Sequence, residues 1–361
     1  MNRSSAETVA STPIAPYDKD HEDPNGPGDA RPTALKVIRD QGLDGKLQGK
    51  VFFVTGCTNG IGVETARALH ATGADVYITG RDTASGEEVV KRIMHDGKPG
   101  KVVFIEMHLD SLASVRDAAS KFLQLSDTLN CLICNAGVGM HPKALTRDGF
   151  EMHFGTNHLG HFCLFEALKD TLLKSSSPSY PSRLVMVSSR SHLASSVDLD
   201  DLNLETTTYD AHSAYGASKT ANIWMANEVE RRYGPHHLHA TSVHPGAVVS
   251  GLSRHVGEDF MKKLFGPPKI AKLIKSAEQA AATTIWAAVG AEWQHQGGKY
   301  LADVQEGVPS ETCTEGRTGP GYAPHAFDEE KEKRLWELSD KIVRATSRDL
   351  CYLQNSVGSS E

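Results

Sequence analysis

Val51-Phe-Phe-Val-Thr-Gly-Cys-Thr-Asn-Gly-Ile-Gly62 is the stretch from which the fold can be read. Its first four residues are an apolar, partly β-branched run, the pattern of a buried parallel strand. Glycines then recur as Gly56-x-x-x-Gly60-x-Gly62, and Val63-Glu-Thr-Ala-Arg-Ala-Leu69 continues in a helical pattern. Strand, glycine turn and helix N-terminus together make a site for a pyrophosphate. Gly56 permits a sharp turn, Gly60 a close approach of backbone to phosphate, and Gly62 tight helix–strand packing. The first N–H groups of the helix and its dipole favour the anion. A glycine turn that binds nothing is the alternative. The strand–helix context such motifs require is present, which favours a dinucleotide.

Outward from this turn, strand and helix patterns alternate with short connections. Strands are predicted at 75–79, 101–107, 130–134, 183–187, 238–244 and 299–301. Helices are predicted at 85–95, 111–125, 150–174, 213–233 and 277–289, with Ser111 as an N-cap. This alternation implies an α/β fold: a Rossmann-type, doubly wound parallel sheet of about seven strands with helices on both faces. Residues 1–33 are rich in Ser, Thr, Pro, Asp and Gly and lack periodicity, the signature of a flexible polar tail. Residues 34–49 form an N-terminal helix and arm, 50–303 the main domain, and 304–361 a C-terminal extension. In that extension 329–342 is an amphipathic helix with Leu335, Trp336, Leu338 and Ile342 as its packing stripe. Residues 251–275 stand outside the alternation and mix Phe260, Met261, Leu264 and Phe265 with lysines and a Pro267-Pro268 break. That is the pattern of a substrate lid.

The chain of 361 residues carries a formal net charge of −7, which provides no basic face for nucleic acid or an anionic membrane surface. No apolar run reaches the ~18–20 residues of a membrane span, and no signal-peptide core is visible at the N-terminus. Six scattered cysteines form no disulfide framework and fit a reducing, cytoplasmic setting.

The chemistry points to the helix at 213–233. Tyr215 and Lys219 are four residues apart and share one face. A tyrosine of pKa ~10 is a poor acid or base at neutral pH, and a cation one turn away favours its phenolate. Alone, Tyr-x-x-x-Lys is an ordinary surface pair. Here it follows a strand that ends in Ser188-Ser189, and ligands in such folds sit at the carboxyl ends of strands.

In these pieces the chain resembles the short-chain dehydrogenase/reductase family. The matching motifs are Thr55-Gly-x-x-x-Gly-Ile-Gly62, Asn135-Ala-Gly137, Val187-Ser-Ser189, Tyr215-x-x-x-Lys219 and His244-Pro-Gly246, in the family's order over about residues 50–302. The wording Asn157-His-Leu-Gly-His161 and the tail Arg334-Leu-Trp-Glu-Leu338 are similar to the branch of retinol dehydrogenases and the oxidoreductase with WW domains. Fungal biosynthetic reductases with a polar N-terminal extension are similar in outline, which implies a place in secondary metabolism.

The resemblance implies Tyr215 as general acid/base, Lys219 as the cation that lowers its pKa and holds the nicotinamide ribose, and Ser189 as the hydrogen-bond partner of the substrate oxygen. Asn157 matches the position of a relay water, and an Asn inside a helix is unfavourable unless its amide has a task. Gly56, Asn59, Gly60, Ile61 and Gly62 would hold the pyrophosphate, and Asp110 the adenine. Asn135, Ala136 and Gly137 would line the channel, with Pro245, Gly246, Val248 and Ser250 near the nicotinamide amide. Arg81 stands where NAD-preferring relatives tend to carry an acidic residue, and its guanidinium suits a 2′-phosphate, so NADP(H) is the expected cofactor. The implied function is an NADP-dependent interconversion of a ketone or aldehyde with an alcohol on a small to medium apolar substrate. Dehydration or isomerisation on the same scaffold, or a non-catalytic dinucleotide-binding scaffold, are the alternatives. Self-association into a homo-oligomer is left open.

Three further patterns have plain readings. Cys131-x-x-Cys134 on a strand places its thiols on opposite faces and suits core residues better than a metal pair. His153, His158 and His161 crowd one helix with no carboxylate or cysteine to complete a metal set. Asp198-Leu-Asp-Asp201 lacks the Gly and Glu of a calcium loop, Asn203 and Tyr209 standing there instead, and reads as a solvated acidic loop.

Overall fold

The apolar run 51–54 forms a strand buried along its whole length, β1 (Val51–Val54), in a computed structural model that describes residues 12–249, 266–312 and 320–357. The helix α1 (Ala34–Asp40) precedes it. Beyond β1 the chain runs through α2 (Gly60–Ala71), β2 (Asp75–Gly80), α3 (Thr83–Met94), β3 (Val102–Glu106), α4 (Leu112–Leu125) and β4 (Cys131–Cys134). It continues through α5 (Met152–Phe154), α6 (Gly160–Ser175), β5 (Ser182–Val187), α7 (Ala211–Tyr233) and β6 (Leu238–His244). Then come α8 (Pro268–Leu273), α9 (Ala277–Val289), β7 (Lys299–Ala302), β8 (Gln305–Glu306), β9 (Val308–Pro309), β10 (Gly321–Tyr322) and α10 (Glu329–Val357).

The main sheet is ordered β3-β2-β1-β4-β5-β6-β7-β8. Its first seven members pair in parallel and β8 closes the edge antiparallel to β7, so the sheet has eight strands where about seven are predicted. Strand order reverses between β1 and β4, and such a switch point opens a crevice at the carboxyl ends of the strands. Alternation along β4 divides the core into two layers. Leu132 and Cys134 join the cluster that includes Phe122, Phe162, Trp224 and Trp336, whereas Cys131 and Ile133 join the one that includes Val37, Leu69, Ile285 and Trp286. The two thiols therefore face opposite layers, and both are buried.

Polar caps start the helices where the sequence places them. Ser111 accepts from the Ser114 N–H, Asp210 from the Ser213 N–H at 2.8 Å, and Ser276 with Gln279 forms a capping box. At the other end of the chain, Trp336 of α10 packs edge-on to Phe162 at 4.9 Å and lies under Arg232 at 4.8 Å, which seats α10 on α6 and α7. No helix among the described residues is long and apolar enough to cross a membrane.

One sequence expectation is corrected here, and a segment expected as a tail is seen in part. The helix predicted at 150–174 is interrupted: α5 and α6 are joined by a π-helical turn, Gly155–Leu159. The described part of the predicted flexible tail, residues 12–33, is docked. Tyr17 is buried and donates to Asp40 at 2.8 Å, the Glu306 N–H donates to Ile14 O at 2.8 Å, and Gly26 N–H donates to Lys272 O at 2.8 Å. The buried Arg31 guanidinium donates to the carbonyls of Leu273 at 2.8 Å and Ile274 at 2.7 Å, while pairing with Asp29 at 2.8 Å. Directed polar bonds, which composition does not register, provide the ordering that apolar burial alone would not. The same bonds tie down α8, the described part of the expected lid; residues 251–265 of that lid lie outside the described residues.

Candidate active site

The turn after β1 is shaped by three glycines. Gly56 adopts φ 74°, and a Cβ on it would lie 2.7 Å from the Ala136 Cβ; one on Gly62 would lie 2.3 Å from the Gly56 carbonyl oxygen. Gly60 differs, with φ 61° and no atom within 4 Å of a built Cβ, so the space before α2 is open. Asn59 is extended and its side chain caps nothing, which leaves the first N–H groups of α2 to a ligand. Ile61 is half-buried beside them. Open space, uncapped donors and the helix dipole fit a pyrophosphate.

Hydrogen bonds lock this turn to the loop after β4. Asn135 Nδ2 donates to Thr55 O at 2.8 Å, and Ala136 N–H donates to Thr55 Oγ1 at 2.9 Å. His161 stands 2.9 Å from the same hydroxyl through Nε2 and 2.8 Å from Asn157 O through Nδ1. A carbonyl only accepts, so Nδ1 carries the proton and Nε2 accepts from Thr55. Burial pushes this imidazole down to about 4, which keeps it neutral.

Asn157 sits in the π-turn, a feature often found at functional sites. Its Oδ1 accepts from Val138 N–H at 2.8 Å, and its Nδ2 donates to Val138 O at 3.0 Å and Ser218 Oγ at 2.9 Å. The amide's task is therefore to fasten the β4 loop to α7. A Cβ on Gly137 would lie 3.0 Å from Asn157 Oδ1 and 3.3 Å from Lys219 Nζ. Glycine at this position leaves the channel floor clear.

Tyr215, Lys219 and Ser189 lie close together. Lys219 is buried and donates through Nζ to Val187 O at 3.0 Å, an oxygen shared with Asn222 Nδ2 at 3.0 Å. Burial pushes its ammonium down to about 8, and Nζ lies 5.7 Å from the centre of the Tyr215 ring. Burial pushes the Tyr215 phenol up to about 12, against a lowering hydrogen bond with Ser189. Ser189 is half-buried and accepts from Ser191 N–H at 3.1 Å, whereas Ser188 is buried and donates to Lys219 O at 2.8 Å. Of the two serines, Ser189 is the one turned to the site.

The remaining expected positions frame the cleft. Arg81 is exposed just past β2, and the glycine turn touches this end of the strand: a Cβ on Gly80 would lie 2.4 Å from Thr58 Cγ2. Asp110 is half-buried, with its carboxylate 3.6 Å from the Arg147 guanidinium. At the end of β6, Pro245 is buried, Gly246 has φ 98°, and Val248 is half-buried. Ser250 lies outside the described residues.

Sequence reasoning missed one buried pair beside Tyr215. His153 donates from Nδ1 to Glu151 at 2.8 Å and accepts on Nε2 from His141 N–H at 3.0 Å, with its ring 6.0 Å from that of Tyr215. Glu151, two residues away, is thus a buried partner of His153, and among the described residues no group of three or more His, Cys, Asp or Glu is placed to hold a metal ion. Burial raises its pKa, but His153 and the Phe154 N–H outweigh that and hold it below the usual range. The other two histidines have partners of their own, His158 with Ser339 Oγ at 2.8 Å and His161 with Thr55 and Asn157 as above. In the acidic loop, Asp201 accepts from the N–H groups of Glu205 at 2.8 Å and Thr206 at 2.9 Å.

Known proteins are similar to this chain. The family model described as short chain dehydrogenase matches residues 50–260. The chain is 48% identical over 320 residues to the short-chain dehydrogenase/reductase prx1 of Penicillium roqueforti, covering 88% of this chain and 92% of that protein. It is 43% identical over 340 residues to the oxidoreductase calI of Penicillium decumbens, covering 90% and 96%. A crystal structure of an uncharacterized protein from Mycobacterium paratuberculosis matches with a TM-score of 0.64 and 30% identity over 87% of this chain and 98% of that one. With its glycine turn, Tyr-x-x-x-Lys helix and parallel sheet, the chain belongs to the short-chain dehydrogenase/reductase family.

Proposed function

We propose that the protein is an NADP(H)-dependent oxidoreductase that interconverts a ketone or aldehyde with an alcohol on a small to medium apolar substrate. The observation that carries this reading is the convergence of Ser189, Tyr215 and Lys219 at the carboxyl ends of β5 and β6, next to the open turn before α2. A bound nicotinamide dinucleotide supplies the hydride that passes to or from the substrate carbon. The first N–H groups of α2 hold its pyrophosphate, and Lys219, with ammonium protons beyond the one given to Val187, holds its ribose. Ser189 donates to the carbonyl oxygen and orients it. Tyr215, a phenol kept protonated by burial, gives its proton to the oxygen as the alkoxide forms. The Lys219 charge then favours the phenolate left behind.

Arg81, exposed beside the turn, is the residue assigned to the 2′-phosphate, as a charge-assisted pair. The test is kcat/KM with NADPH and with NADH in the parent and in Arg81→Ala, on a panel of apolar ketones. We expect the parent to prefer NADPH and the variant to lose about tenfold with NADPH alone, the equivalent of ~1.4 kcal/mol. Equal use of both dinucleotides by both proteins contradicts the assignment. The identities with the fungal prx1 and calI support an oxidoreductase, and a place in secondary metabolism follows only from the outline shared with fungal biosynthetic reductases.

A further inference from the structure

Beneath the loop that leaves β6 runs a buried cation, the last residue of the expected lid and outside the catalytic and cofactor residues named so far. The Lys275 side chain is 3% exposed and its Nζ donates to Asp303 Oδ1 at 2.6 Å. Its backbone N–H donates to Ala247 O at 2.8 Å. Its stem lies against Gly246: a Cβ there would stand 2.8 Å from Lys275 Cδ and 3.2 Å from Nζ. The lysine is thus fastened to the 245–249 loop by its backbone and its methylenes, and to the β7–β8 turn by its charge.

That turn is held in an unusual shape. Asp303 and Val304 both have φ 54°, a region a β-branched residue enters at a cost. Val304 is buried and donates its N–H to Thr283 Oγ1 at 3.1 Å, which secures the conformation. The docked arm adds His21, whose Nδ1 bonds Tyr17 O at 2.9 Å and whose buried Nε2 lies 3.9 Å from Asp303 Oδ1 without a hydrogen-bond partner. Lys275 and His21, from two separate segments, therefore converge on the Asp303 carboxylate. A buried ion pair is a weak source of stability, because desolvating two charges offsets their attraction; fixing one geometry is its better-attested use.

We propose that Lys275 is a positioning residue for dinucleotide binding, its ion pair with Asp303 fixing the height of the 245–249 loop over the carboxyl end of β6. The inference rests on the dinucleotide reading of the site. A small displacement of a binding loop is enough to weaken a ligand it must face closely.

The test uses the full chain, with NADPH and NADH affinity measured by calorimetry and Tm by thermal unfolding. Lys275→Met keeps the stem against Gly246 but strands a half-buried carboxylate, so Tm falls along with affinity. Lys275→Met/Asp303→Asn removes that stranded charge. We expect the double variant to regain most of the lost Tm and still bind NADPH about 10–100-fold more weakly than the parent. A double variant that binds as tightly as a parent that itself binds overturns the positioning role and leaves the dinucleotide reading intact. A folded parent that binds neither NADPH nor NADH overturns that reading and this inference with it.

Discussion

Replacing Asn157 by Ala removes one amide that serves three buried partners, so its effect can be worked out. Val138 N–H loses its acceptor at 2.8 Å in a residue only 9% exposed, and Val138 O and Ser218 Oγ lose donors at 3.0 and 2.9 Å. An unpaired buried N–H costs about 1–3 kcal/mol, and the two further bonds contribute about 1 kcal/mol each. Alanine regains roughly 0.5 kcal/mol of helix propensity over asparagine. The net destabilisation is about 3 kcal/mol, which at ~3 kcal/mol/M for a chain of this size lowers the urea midpoint by roughly 1 M. Unfolding followed by tryptophan fluorescence measures it, since Trp224, Trp286 and Trp293 are fully buried. A midpoint within about 0.3 M of the parent at unchanged slope refutes the reasoning and frees the amide for a role as a ligand of water.

Arg31→Ala breaks the guanidinium's bonds to the carbonyls of Leu273 and Ile274 and strands Asp29, so ~3 kcal/mol should be lost and Tm should fall by roughly 4 °C; a fall under about 1 °C would show the arm to be loosely held. Acid should unfold the protein early, because burial pushes His158 down to about 3 and His161 and His192 down to about 4 from an ordinary 6.5. With folded values below the unfolded one, the stability present above pH 6.5 is lost as pH falls toward 4, on the order of 2 kcal/mol for each imidazole at pH 5. A Tm that stays level from pH 7 to pH 5 contradicts the neutral burial of these rings.

What could be read from the sequence was local. The run 51–54, the glycine spacing and the four-residue step from Tyr215 to Lys219 carry their structure in short-range pattern, and the parallel sheet with helices on both faces formed around them as expected. The π-turn was hidden because what Asn157 binds lies 19 and 61 residues away, at Val138 and Ser218. The arm was hidden for the same reason: Arg31 and Gln279 meet across 248 residues, and composition alone reads their segment as too polar to fold. Glu151 escaped notice because a two-residue step to His153 matches no helical face, and only the turn into α5 brings the two side chains together.

Hydride transfer with and without the Tyr215 hydroxyl tests the central claim most directly. Tyr215→Phe keeps the ring beside His153 and Lys219 but removes the hydroxyl proposed to protonate the alkoxide. With a ketone that the parent reduces, NADPH consumption by the variant should fall by ~10²–10⁴, roughly 3–5 kcal/mol of barrier, while NADPH affinity stays within about threefold. A Tyr215→Phe protein that consumes NADPH at the parental rate contradicts the mechanism.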